Sequence, residues 1–172
     1  MLSEPMLKQL NEQITKELYS SYLYLQMAGF LDDRNLAGMA NWMKLQAQEE
    51  IAHAMIFYNY VDERGGRIEV GGIDKPPAEY DSPLDVFEKT LEHEKKVTAS
   101  IHSLMDRAVE EKDYATQDRL QWFIAEQVEE EATPAELIAK LKQVGDGNGL
   151  FMLDREMAAR SFKLPSPLAG ED

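Results

Sequence analysis

The chain has 172 residues, enough for one domain with a substantial core, and no cysteine, which excludes disulfides, thiolate metal sites and cysteine nucleophiles. Its formal net charge of -14 argues against a sequence-independent hold on nucleic acid and leaves two readings of the acidity, a solvated surface or an attraction for cations. The opening Met-Leu-Ser-Glu-Pro carries no basic n-region and no apolar stretch of signal-peptide length, and no run approaches a membrane span. The expectation is a cytoplasmic protein without a membrane partner.

Periodicity predicts an all-α chain with helices at about 4–32, 36–64, 83–112, 114–144 and 150–162. These form one domain over residues 1–162, followed by a tail at 163–172 expected to be disordered. The first helix has Ser3 as N-cap and Pro5 in its first turn. Its core seam reads Leu7, Leu10, Ile14, Glu17, Ser21, Tyr24, Ala28. Asn35 is expected to cap the second helix, whose seam reads Leu36, Met39, Met43, Gln46, Glu50, His53, Phe57, Tyr60 and which ends at Gly65-Gly66. Glu50 and His53, three residues apart, share one helical face, and that face is the apolar one.

The connection over 65–82 is long enough to run the length of a helix, so it reads as a crossover that leaves the second and third helices parallel, with a short strand at 67–70. Ser82 and Pro83 start the third helix, with seam Leu84, Phe87, Leu91, Glu94, Thr98, Ile101, Met105, Ala108. The fourth carries Leu120, Phe123, Gln127, Glu130, Pro134, Leu137, Leu141, with a kink expected at Pro134. The stretch from Gly145 to Gly149 breaks the chain before a short fifth helix, too short to stand alone. Trp122 is read as packing, and His93 and His102, off the seam, as surface residues.

In each long helix the polar core residues fall near the midpoint: Glu17, then Glu50 with His53, then Glu94, then Gln127 with Glu130. Mid-height meets mid-height whichever way the helices run. Four carboxylates in a shared interior repel one another unless a cation neutralises them or they share protons in a hydrogen-bonded layer. Oxygen ligands with one imidazole suit iron or manganese, and Glu50 lies centrally enough to bridge two ions. The chemical reading is a dinuclear iron site. Tyr24 is either a ligand's hydrogen-bond partner and electron source or an ordinary core tyrosine.

Glu17, Tyr24, Glu49-Glu50-x-x-His53, Glu94 and Glu126-Gln127-x-x-Glu130 together closely resemble the bacterial non-haem ferritins. The Gly-Gly end of the second helix, the long crossover and the short fifth helix extend that resemblance over essentially the whole chain. It implies a ferritin-like four-helix bundle and a homo-oligomeric, 24-subunit cage. The cage would oxidise Fe(II) with O2 or H2O2 and store ferric mineral inside. By the same resemblance Glu17, Glu50 and His53 hold one iron, and Glu50, Glu94 and Glu130 the second, with Gln127 nearby. A third site would use Glu49, Glu126, Glu129 and Glu130. The bacterioferritin haem ligand, a Met after the bridging Glu, is Ile51 here, and their His is replaced by Glu130, so no haem is implied. Gln117 and Leu120 stand where animal ferritins line a pore with acids. Two rivals are a discrete di-iron oxidase or peroxidase and a DNA-protecting mini-ferritin. The latter builds its site between subunits and often has a basic tail.

Overall fold

The computed structural model describes residues 1–145 and 147–169; Asp146 and residues 170–172 lie outside the described residues. Five helices form: α1 (Glu4–Asp33), α2 (Ala37–Glu63), α3 (Pro83–Glu110), α4 (Tyr114–Val144) and α5 (Asn148–Met157). The first four make a bundle in which α1 packs along α2 and α3 along α4. Ser3 Oγ accepts from the Met6 amide at 3.1 Å and Ser82 Oγ from the Asp85 amide at 3.1 Å, each satisfying a first-turn donor. Asp113, between the third and fourth helices, caps α4 through the Thr116 amide.

The crossover runs beside α1. At its start Gly66 sits against Leu7, and at its end Tyr80 packs edge-on to Phe30 at 5.1 Å between ring centroids. Chain direction follows from that path: Gln9 meets Arg107, Ser20 meets His93 and Met27 meets Thr90, so α3 is antiparallel to α1 and parallel to α2. The strand expected at 67–70 does not form. Instead the Asn11 side chain donates to the Arg67 carbonyl and accepts from the Glu69 amide, both at 3.0 Å. One carboxamide thus replaces a neighbouring strand. Thr15 Oγ1 accepts from the Gly71 amide at 2.9 Å and continues the strap.

Asn35 does not cap α2. It takes a left-handed φ of 58°, and the cap position falls to Leu36, which has no side-chain acceptor. The missing acceptor comes from α5: Asp154 Oδ1 accepts from the Met39 amide at 2.8 Å. The two helices approach so closely that a β-carbon on Gly38 would lie 1.7 Å from the Asp154 carbonyl oxygen. Leu153 and Met157 are buried at this seam, so α5 packs on its own chain. It starts and ends earlier than expected; after Met157 the chain tightens into a turn and leads Arg160 back across α2. The tail closes in a turn where the Leu168 and Ala169 amides donate to the Pro165 carbonyl, and Leu168 packs against the bundle. α4 runs unbroken through the buried Pro134, which leaves the Glu130 carbonyl without its helical amide donor.

The apolar core is in two parts. One surrounds Leu31, Met43, Phe87 and Leu141, the other Ile14, Phe57, Ile101 and Phe123. Between them lies a belt of buried polar side chains. Because the α5 backbone lies directly against Gly38, Gly38→Ala is expected to lift α5 while the four long helices persist. The expected loss is about 1–3 kcal/mol, as for other overpacked contacts. Hydrogen exchange checks this: protection should fall over Asn148–Met157 and hold in α3.

Candidate metal centre

Each bundle helix sends its mid-length polar residues into the belt. Glu17 comes from α1, Glu50 and His53 from α2, Glu94 from α3, Gln127 and Glu130 from α4, and all six are buried. The convergence expected from the midpoints is therefore observed. Glu17, Glu50 and His53 can bring one ligand atom each to within 4.8 Å of one another, and so can Glu50, Glu94 and Glu130. The two groups share Glu50. The His53 Nδ1 to Glu50 Oε2 distance is 3.5 Å.

Hydrogen bonds and ring contacts hold the belt side chains. Lys16 Nζ donates to Ser100 Oγ at 2.7 Å, Ser100 Oγ to Gln13 Oε1 at 2.6 Å, and Gln13 Nε2 to Glu17 Oε1 at 2.8 Å, a file leading from the surface to a ligand. Tyr24 donates its phenolic proton to Glu94, so its hydroxyl is bound within the belt. Gln127 Nε2 donates to the Glu94 carboxylate at 3.3 Å and to Thr98 at 3.2 Å. Gln46 donates to Glu130. The His53 ring lies edge-on to Trp122 at 5.5 Å and to Phe123 at 5.9 Å, so Trp122 orients an imidazole as well as packing. His93 is half-buried instead of fully exposed: it bonds Ser20 at 2.7 Å and meets the Tyr24 ring edge-on at 5.8 Å.

Burial and crowding favour the protonated forms of these carboxyls in the metal-free chain. Burial, then the charges of Glu94, Glu17 and Glu130, lifts Glu50 well above the usual carboxylate range. Burial pushes Glu94 to about 7; burial and then Glu94 push Glu130 to about 8. Burial also raises Glu17, and holds the Tyr24 phenol well above its ordinary value. Among the described residues two buried side-chain atoms have no hydrogen-bond partner, Glu17 Oε2 and His53 Nε2, and both belong to the belt. Native proteins rarely leave such atoms bare. Both are atoms of the kind that bind metal ions, so a cation fits this donor set.

The remaining acids divide. Half-buried Glu126 joins His53 and Glu130 in a third group able to hold an ion. Glu129 is exposed beside it, and Glu49 turns to the Arg160 guanidinium. Gln46 and Arg160 were missed as contributors to the site. Gln46 stood on the polar part of the α2 seam one turn before Glu50, a usable signal, whereas nothing in the local sequence marks Arg160.

A ferritin-like domain family matches residues 7–144, which spans all four bundle helices and the belt. The chain belongs to the ferritin-like family. It is similar to the bacterial non-heme ferritin of Bacteroides fragilis, with 44% identity over 160 residues that cover 93% of this chain and 100% of that protein. A probable bacterial non-heme ferritin-like protein of Haemophilus influenzae is 40% identical over 164 residues, 95% of this chain and 99% of that one. Among solved structures, an open pore ferritin from the hyperthermophilic archaeon Archaeoglobus fulgidus superposes with a TM-score of 0.92 at 48% identity, over 94% of this chain and 99% of that one.

The raised carboxyl pKa values have a stability consequence of definite sign. The folded metal-free belt binds more protons than the unfolded chain, so its contribution is full at acid pH. That contribution is lost as pH rises through about 7 for Glu94 and about 8 for Glu130. His93, held by burial at about 4, acts in the opposite sense below 6.5. Between about pH 6.5 and pH 8.5 the melting temperature of metal-free protein should therefore fall, and saturating Zn(II) should flatten the profile. Scanning calorimetry with and without the metal checks both slopes.

Proposed function

We propose that the belt is a ferroxidase centre in which Fe(II) is the substrate, and that the chain stores the ferric product inside a multi-subunit shell. The observation that carries the reading is the pair of ligand groups joined at Glu50, built wholly from one chain. In this reading Glu17, Glu50 and His53 hold one Fe(II), and Glu50, Glu94 and Glu130 the other, with Gln127 positioning Glu94. Four carboxylates offset the charge of two divalent ions, which is what allows so many acids to share a dry interior. Two Fe(II) ions give two electrons to O2, which takes two protons to become H2O2, or to H2O2, which takes two protons to become two waters. Tyr24, hydrogen-bonded to Glu94, is in place as a further electron donor. Ile51, at the position of the bacterioferritin haem ligand, has a hydrocarbon side chain with no atom that can ligate iron, which favours a site without haem.

Assembly is supported by the apolar side chains that α1 and α2 leave exposed: Tyr22, Leu25, Ile51, Met55 and Tyr58, with Val70 and Ile73 on the crossover. Exposed apolar surface of this extent is a contact surface for another chain. The Archaeoglobus relative is described as having an open pore, which a shell has and a monomer lacks. We take the shell to be a cage of 24 copies in the cytoplasm. No helix among the described residues is long and apolar enough to cross a membrane. A site built within one chain, together with the net charge of -14, favours storage over protection of DNA.

Glu50→Ala should leave the bundle folded, since it relieves buried like charge, and should slow Fe(II) oxidation by more than the roughly 10–100-fold that losing a mere supporting residue costs. Stopped-flow absorbance after aerobic mixing checks it, and a wild-type rate would refute the dinuclear assignment. Particle size and iron count after loading separate storage from a discrete oxidase. Storage requires a large shell that holds far more iron than its ligand groups can bind.

A further inference from the structure

Beyond α5 the chain places one cation against the metal centre. Arg160 Nη1 donates to the Trp42 carbonyl at 3.2 Å, and Nη2 donates to Gln46 Oε1 at 2.9 Å and to the Glu49 carboxylate. The guanidinium carbon lies 4.3 Å from the centre of the Trp42 ring. Both partners of the ion pair are largely covered, with side-chain exposures of 23% for Arg160 and 17% for Glu49. The same Gln46 that accepts from Arg160 donates its amide to Glu130. Arg160 is therefore one residue, Gln46, from Glu130 of the His53, Glu126 and Glu130 group, and it engages the carboxylate of Glu49, which comes just before Glu50 and lies close enough to that group to repel the charges of Glu126 and Glu130. Within the group His53 Nε2 is buried without a partner.

We propose that Arg160 is an internal counter-cation for this third position, a positioning residue that occupies Glu49 until a divalent ion arrives. A guanidinium and a divalent cation drawn to the same carboxylate repel each other, most strongly in so poorly hydrated a place. Filling the position therefore costs the Arg160–Glu49 pair, and Glu49 becomes free to turn toward Glu126 and Glu130. Gln46 loses one partner in the same event. Because Arg160 follows α5 directly, and α5 is held to α2 by Asp154 and the Gly38 contact, the released side chain frees the end of that helix. Coupling of this kind is reciprocal: whatever loosens α5 strengthens the third ion's binding by the same factor. The inference rests on the belt being a metal centre, and it adds to that reading a device that ranks the third ion below the first two.

Calorimetric titration of the full-length assembled protein with Zn(II), which does not change oxidation state, tests it. Arg160→Gln removes the charge while keeping a side chain able to donate to Trp42 and Gln46, and Arg160→Lys retains the charge. In wild type two ions per chain should bind tightly and a third more weakly. In Arg160→Gln the third should bind about five- to tenfold more tightly, within the range of single couplings between sites, while the first two steps stay within about twofold. Arg160→Lys should resemble wild type. Hydrogen exchange over Asn148–Met157 in the wild-type protein should rise as the third equivalent is added and not before, a readout that needs no variant. An unchanged or weaker third step in Arg160→Gln, no third ion in either protein, or exchange in α5 indifferent to the third equivalent would each overturn the proposal. Failure of the first two ions to bind would instead overturn the metal-centre reading beneath it.

Discussion

Everything in this molecule is arranged around the cost of placing Glu17, Glu50, Glu94 and Glu130 in one dry interior. An ionised carboxylate taken out of water costs several kcal/mol even after the surroundings relax, roughly, and four like charges add their repulsion. The chain meets that cost in two ways. In the metal-free state burial raises the Glu50 carboxyl well above its usual range and lifts Glu94 to about 7 and Glu130 to about 8, and partners from Gln13, Tyr24, Gln127 and Gln46 meet most of the remaining polar atoms. The two that stay bare, on Glu17 and His53, belong to side chains of a group that could hold a cation.

The belt also explains why the hydrophobic core comes in two parts. Stability has to come from the apolar layers above and below it, where Phe57 stacks on Phe123 at 4.0 Å and Trp42 packs edge-on to Phe87 at 5.4 Å. Those layers hold the four helices rigidly enough that ligands from four different helices keep their spacing. A site that spans a bundle in this way needs no loop for its precision.

Outside the bundle, single polar side chains replace regular structure. Asn11 does for the crossover what a neighbouring strand does in a sheet, and Asp154 does for α2 what an N-cap residue does from within the chain. Both ties join residues far apart in sequence, so the crossover and α5 are ordered by the bundle and not by their own propensity. Arg160 belongs to the same class of tie, and its reach to Glu49 links the periphery to the centre.

The sequence by itself determined the helices, the parallel placement of α2 and α3, and the meeting of Glu17, Glu50, His53, Glu94, Gln127 and Glu130, because each of these follows from periodicity and length. Periodicity says which face of a helix is inward, and midpoints of helices of similar length coincide in any bundle. Tertiary structure alone decided what those rules do not reach. It turned Asn35 into a left-handed residue and moved the α2 cap to Asp154, replaced a strand at 67–70 with the Asn11 clamp, and brought His93 inward to Ser20 and Tyr24. It also divided the outer acids, giving Glu126 to His53 and Glu130 and Glu49 to Arg160. Each of these outcomes depends on which side chain from a distant segment comes within about 3 Å, the reach of a hydrogen bond, and local pattern carries no information at that range.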